Sequence, residues 1–221
     1  MPPTPLRIAH RGMPHSAREN TLPSFQLALD AGADGIELDV HATADGVVVV
    51  HHDAALRDGP AIAALTRAEL RRHEAAPGVA IPTLAEVREL VRGRAMLFVE
   101  IKGVGIERYV LDALEGYEGA AAIHSFDHAL IGRVARLAPA TRLGILFDQE
   151  PAQIARSMAA TGAFDVWPRW PLVTAALVSA VHREGGRIIP WTVNDSARAR
   201  ALGALGVDAL CGDDVRLLVM E

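Results

Sequence analysis

Eight short runs rich in Val, Ile and Leu, each followed by a segment with apolar residues at helical spacing, constrain this chain more than any other feature. Parallel strands are buried on both faces and read as near-continuous apolar runs, and each needs a crossover, usually a helix, to reach its neighbour. The runs are residues 6–9, 35–40, 96–101, 121–124, 142–146, 164–167, 187–192 and 208–211. Helices are predicted over 22–31, 84–92, 105–114, 129–137, 151–161, 174–184, 196–205 and 215–219. This alternation predicts an α/β fold, a closed (β/α)8 TIM barrel. A doubly wound open sheet is the competitor, but no Gly-rich fingerprint follows the first strand. Pro190, inside the seventh run, conflicts locally because it cannot donate to a ladder.

One apolar run breaks the alternation. Val47 to Val50 follows the second strand too soon for a crossover, so it must return antiparallel as an extra β-hairpin. Taking Asp45-Gly46 as a two-residue turn pairs Ala44 with Val47 and Asp39 with His52. That register brings His52 to the level of Glu37 and Asp39, whereas a slip of one residue would turn it away.

No linker or low-complexity segment divides the 221 residues, so a single domain over 1–221 is expected. With 27 acidic against 22 basic residues the chain has no charge surplus for a phosphate backbone, and no nucleic-acid partner is expected. The single cysteine, Cys211, forms no internal disulfide. The N-terminus has no signal-peptide pattern, and no apolar run approaches the ~20 residues that cross a bilayer. A cytoplasmic protein without stable membrane association is expected.

In such a barrel the site gathers at the C-terminal ends of the strands. Strand one ends in His10-Arg11-Gly12, strand two in Glu37-Leu38-Asp39, the hairpin in His51-His52-Asp53, and the third barrel strand in Glu100-Ile101-Lys102. Period-two spacing puts Glu37 with Asp39 on one face and Glu100 with Lys102 on another. Three carboxylates in one mouth repel unless a cation neutralises them, and oxygen ligands favour Mg²⁺ or Ca²⁺ over Zn²⁺. Arg11 and Lys102 add positive charge suited to a phosphate. Two histidines from separate segments suit general acid-base work near neutral pH.

The chain resembles the glycerophosphodiester phosphodiesterase family, related to the phosphatidylinositol-specific phospholipase C barrels. The resemblance is carried, in order, by HRG at 10–12, ENT at 19–21, GADGIELDV at 32–40, TADG at 43–46, VVHHD at 49–53, IPTLAEV at 81–87, FVEIK at 98–102, SFD at 125–127 and PWTVND at 190–195. It implies that His10 and His52 are the acid-base pair, that Glu37, Asp39 and Glu100 hold one divalent metal ion, and that Arg11 and Lys102 contact the phosphate. It implies hydrolysis of a small-molecule glycerophosphodiester to glycerol phosphate and an alcohol, with a cyclic phosphate as a conceivable intermediate. Two other functions remain open: a phospholipase-like phosphodiesterase or lyase acting on intact lipid, and a non-catalytic barrel that binds metal and phosphate esters.

Plainer readings compete at several positions. An isolated His10 would be a hydrogen-bonded core histidine, and Glu37 or Asp39 alone a solvated strand end. Glu100 and Lys102 can form an ordinary ion pair, and Asp53 reads as an orienter rather than a ligand. Asn20 reads equally as a cap for a helix beginning at Thr21. Trp191 and Phe126 are pocket-lining candidates that core packing explains as well. His15, His41, His73, His124, His128, His182 and Cys211 are read as structural. Two departures from the family pattern put substrate identity in doubt: the segment after Asp53 is compressed, and DALCGDD replaces the usual Thr-Asp, leaving Asp213 in place.

Overall fold

The computed structural model describes residues 4–57, 59–150 and 153–219. The chain enters through β1 (Leu6–His10) and α1 (Leu22–Asp30), then forms β2 (Gly35–Ala42) and the returning β3 (Val48–Val50). An excursion follows, built from a 3-10 turn at Ile62–Ala64, the one-turn α2 (Arg67–Leu70), and the small ladder of β4 (Glu74–Ala76) with β5 (Val79–Ala80). After α3 (Leu84–Val91) the alternation is regular: β6 (Met96–Ile101), α4 (Glu107–Leu114), β7 (Ala121–Ser125), α5 (His128–Leu137), β8 (Arg142–Phe147), α6 (Ile154–Thr161), β9 (Asp165–Pro168), α7 (Ala175–Arg183), β10 (Arg187–Ile188), α8 (Ser196–Ala204) and β11 (Ala209–Gly212). The last predicted helix is only a 3-10 turn, Val215–Leu217, and the expected start of α6 at Pro151 lies outside the described residues.

The eight parallel strands run β10-β9-β8-β7-β6-β2-β1-β11, with β3 antiparallel on β2. Backbone bonds from Asp208 N to Ile188 O (3.1 Å) and Cys211 N to Pro190 O (3.0 Å) join the two ends into a nearly closed barrel. The seventh strand is shorter than its apolar run because Pro190 has no N–H. Neighbouring Ile189 and Trp191 still bond to Val166 O and Pro168 O.

Alternation along each strand sorts side chains into two layers. Ile8, Phe98, Ala122, Leu146, Trp167, Ile189, Ala209 and Cys211 fill the barrel. Ile36, Leu38, Val99, Ile123, Ile145, Val166 and Leu210 face outward against Phe25, Val87, Val134, Val181 and Leu202 of the helices. The compressed excursion carries a satellite core of Val49, Leu56, Ile62, Leu70 and Ile81. Several motif residues are helix caps: Thr83 and Glu86 form a reciprocal capping box on α3, Asp127 caps α5 and Asp195 caps α8. Among the described residues no helix is long and apolar enough to cross a membrane.

The hairpin register differs from the expected one. Val40 pairs with Val50 and Ala42 with Val48, so Asp39 lies opposite His51, not His52. The cause is Gly46, which adopts φ +78° and donates to Thr43 O. The loop therefore holds three residues, 44–46, in place of the two-residue turn. His52 still reaches the barrel mouth, because β3 ends at Val50 and the chain bends at 52–54.

Candidate active site

Register places the polar strand ends beside one another. His10 pairs with Glu37 across β1 and β2, Asp39 with Glu100 across β2 and β6, and Glu100 with His124 across β6 and β7. Above the apolar barrel filling lies a cavity of about 130 Å³ bordered by His10, Arg11, Glu37, His52, Glu100, Lys102, Phe126 and Trp191. His124, Leu146, Trp167 and Cys211 complete its wall. Thus every candidate residue except Asp39 borders one cavity.

Asp39, with 0% exposure, touches two of the lining residues, Arg11 and Lys102. Its Oδ2 accepts from Asn20 Nδ2 at 2.8 Å and sits 3.0 Å from Arg11 Nε, and Lys102 Nζ is 3.6 Å from Oδ1. Burial alone would raise its pKa, but the charges of Arg11 and Lys102 and the Asn20 bond hold it below the usual carboxylate range. Asn20 is accordingly not the helix cap. Thr21 takes that place, and Asn20, at φ +57°, turns its amide to Asp39. Arg11 is also left-handed, at φ +56°, and its Nη1 reaches Glu19 at 3.3 Å. Gly12 follows at φ +90°, where a Cβ would stand 2.7 Å from the Ser24 carbonyl carbon, so the HRG turn needs a glycine there.

Each candidate histidine is tethered by a carboxylate. His10 Nδ1 lies 2.7 Å from Asp213 Oδ1, and His52 Nδ1 lies 2.8 Å from Asp53 Oδ1. Asp213 is gripped by Asn194 at both its carboxylate and its N–H. Burial pulls the His10 pKa down, but the Asp213 bond and the Glu37 charge outweigh it, leaving the pKa raised. His51 turns away and contacts the Asp53 carbonyl. The plain reading of His41 needs extending: its Nε2 lies 3.1 Å from the His52 carbonyl, which pins the turn carrying His52.

The residues fit a divalent cation. Ligand atoms of Glu37, Glu100 and His124, all buried, lie within 4.8 Å of one another. Asp39 Oδ1 is buried without a hydrogen-bond partner among the described residues. Burial, then the Asp39 and Glu37 charges, push the Glu100 carboxyl up to about 8 against the opposing pull of Lys102, whose Nζ is 3.2 Å away. This is the repulsion a cation relieves. Sequence reasoning read His124 as structural and did not place it beside Glu37 and Glu100, because nothing in its strand context marks a buried histidine as facing carboxylates.

A sequence model of the glycerophosphoryl diester phosphodiesterase family matches residues 10–217. A glycerophosphodiester phosphodiesterase from Caldanaerobacter subterraneus subsp. tengcongensis is 34% identical, over 97% of this chain and 96% of its own length. One from Bacillus altitudinis is 34% identical over 93% of each chain. Among solved structures, an Oleispira antarctica phosphodiesterase in complex with the product sn-glycerol-3-phosphate superposes with a TM-score of 0.90 at 26% identity, covering 97% of this chain and 95% of that one. A Silicibacter pomeroyi structure gives 0.87 at 28% identity, covering 98% and 94%. With the barrel, the ordered motifs and the family match agreeing over nearly its whole length, the chain belongs to the glycerophosphoryl diester phosphodiesterase family.

Proposed function

We propose that this chain hydrolyses small glycerophosphodiesters to glycerol phosphate and an alcohol. The observation that carries this reading is the pairing of His10 and His52, each tethered at Nδ1 by a carboxylate, across a cavity that also presents Arg11 and Lys102. With Nδ1 occupied, Nε2 of each ring is free to exchange a proton with a bound substrate. One histidine takes the proton of the glycerol hydroxyl beside the diester as that oxygen attacks phosphorus. The other protonates the alcohol as its P–O bond breaks. Water then opens the cyclic phosphate with the proton transfers reversed. Arg11 and Lys102 orient the anionic phosphate.

Glu37, Asp39 and Glu100 are the proposed oxygen ligands of one divalent ion, a set that suits Mg²⁺ or Ca²⁺. Such an ion supplies positive charge where charge builds on the phosphorus oxygens. Phe126 and Trp191, edge-to-face at 5.6 Å, form the apolar side that receives the glycerol or alcohol carbons.

The test is a panel of glycerophosphodiesters assayed with and without chelator, with products identified. Linear glycerol phosphate and free alcohol are expected, abolished by chelation and reduced by at least ~10²-fold in His10→Ala and His52→Ala. Release of no alcohol from any diester would refute the reading, and accumulation of cyclic phosphate alone would refute its hydrolytic step.

A further inference from the structure

The mechanism above leaves His124 without a task. Its side chain is 1% exposed, and neither ring nitrogen has a hydrogen-bond partner among the described residues. Burying a polar group unpaired is costly, so such a group in a native interior calls for a partner. Nε2 stands 3.6 Å from Glu37 Oε1, too far for a good hydrogen bond. One nitrogen of the ring nevertheless lies within the 4.8 Å grouping with carboxylate oxygens of Glu37 and Glu100, a spread that a cation about 2.1 Å from each ligand can bridge with small adjustments.

The ring is also held in place. It stacks on Trp167 with centroids 4.5 Å apart and planes 14° from parallel. The stack reaches across β8, the strand between theirs, because Gly144 has no side chain to intrude. A Cβ there would lie 2.9 Å from Trp167 Nε1 and 3.1 Å from His124 Cβ. The missing side chain thus makes room for a clamp that presents the imidazole edge to the two glutamates.

We propose that His124 is a nitrogen ligand of the divalent ion at Glu37 and Glu100, and that it tunes the site toward ions that accept imidazole, such as Co²⁺ and Zn²⁺, over Mg²⁺ and Ca²⁺. This rests on the metal reading given under Proposed function. Imidazole is a borderline ligand that adds little for the hard ions and much for the later transition metals.

The experiment titrates metal-free full-length protein with CoCl₂, ZnCl₂, MgCl₂ and CaCl₂ by calorimetry, for the wild type, His124→Phe and His124→Gln. Phenylalanine preserves the stack on Trp167, glutamine serves if the first variant fails to fold, and circular dichroism checks both. Loss of about 100-fold or more in Co²⁺ and Zn²⁺ affinity, with less than about 3-fold change for Mg²⁺ and Ca²⁺, is expected. The Co²⁺ wild type should also show a strongly shifted, exchangeable imidazole N–H proton resonance that His124→Gln lacks. Equal losses for all four ions, unchanged affinities or absence of that resonance would overturn the role of His124 while leaving the metal site standing. A wild type that binds none of the four ions would overturn the metal site as well.

Discussion

Asp213 Oδ1 lies 2.7 Å from Nδ1 of His10, and Asn194 fixes the carboxylate from its other side. On the proposed mechanism, this contact would leave Nε2 as the imidazole nitrogen that meets the substrate. Asp213→Asn keeps the shape but removes the charge, and should lower kcat by about 10²-fold or more with a smaller change in KM. Steady-state kinetics checks the rate. NMR titration of metal-free protein checks the cause. Burial lowers the His10 pKa and the Asp213 bond helps raise it, so the variant's His10 should lose its proton at lower pH than the wild type's.

His41 acts on the other histidine through the backbone. Burial lowers its pKa, which favours the neutral ring at pH 7, and since the His52 carbonyl can only accept, Nε2 carries the proton. His41→Leu should lower kcat by about 10-fold while leaving KM nearly unchanged, because misplacement of a reacting group is paid in the chemical step. His41→Gln, which can still donate, should recover part of the loss. A variant with wild-type kcat would dismiss the positioning role.

The capping box on α3 predicts an acid-sensitive contribution to stability. Burial raises the Glu86 pKa, but bonds from the Thr83 N–H and hydroxyl, with Arg67 and Arg71 nearby, leave it depressed. A depressed folded-state pKa stabilises fully above the unfolded carboxylate value, and the benefit disappears as pH falls through the folded value. The stability gap between wild type and Glu86→Gln should therefore be open at pH 7 and close in the acid range. Thr83→Ala should cost about 1 kcal/mol at pH 7, measured by urea unfolding.

Cys211 should be chemically silent in the native protein. It is fully buried, and burial, followed by the Glu37 and Asp213 charges, raises its thiol well above the usual range. A thiol reagent at pH 8 should label the unfolded chain within minutes and the native chain only on the timescale of unfolding. Rapid native labelling would show that the barrel interior opens.

Much of the barrel was legible because a parallel strand declares itself as an apolar run and a crossover helix as a periodic one. What escaped was set by single backbone angles and by distant neighbours. Gly46 in the left-handed region added a residue to the hairpin loop and shifted its register, and no count of apolar positions reveals that. His52 was reached by a bend after Val50, not by the register that pointed to it. Asn20 read equally as a cap or a substrate contact, and a positive φ sent it to Asp39. His124 read as structural because its glutamates come from two other strands. The excursion between Asp53 and Leu84 has no period to read, since its short pieces are held by the five-residue satellite core.

The first strand supplies His10, the segment after the last supplies its carboxylate, and 203 residues separate them. The pair exists only when the last strand, β11, has docked along the first, β1. Contacts so far apart in sequence form late, since the intervening chain must first be ordered. On the proposed mechanism, competence in the reaction would report the docking of the last strand on the first: a chain in which β11 has not reached β1 would lack the tethered His10.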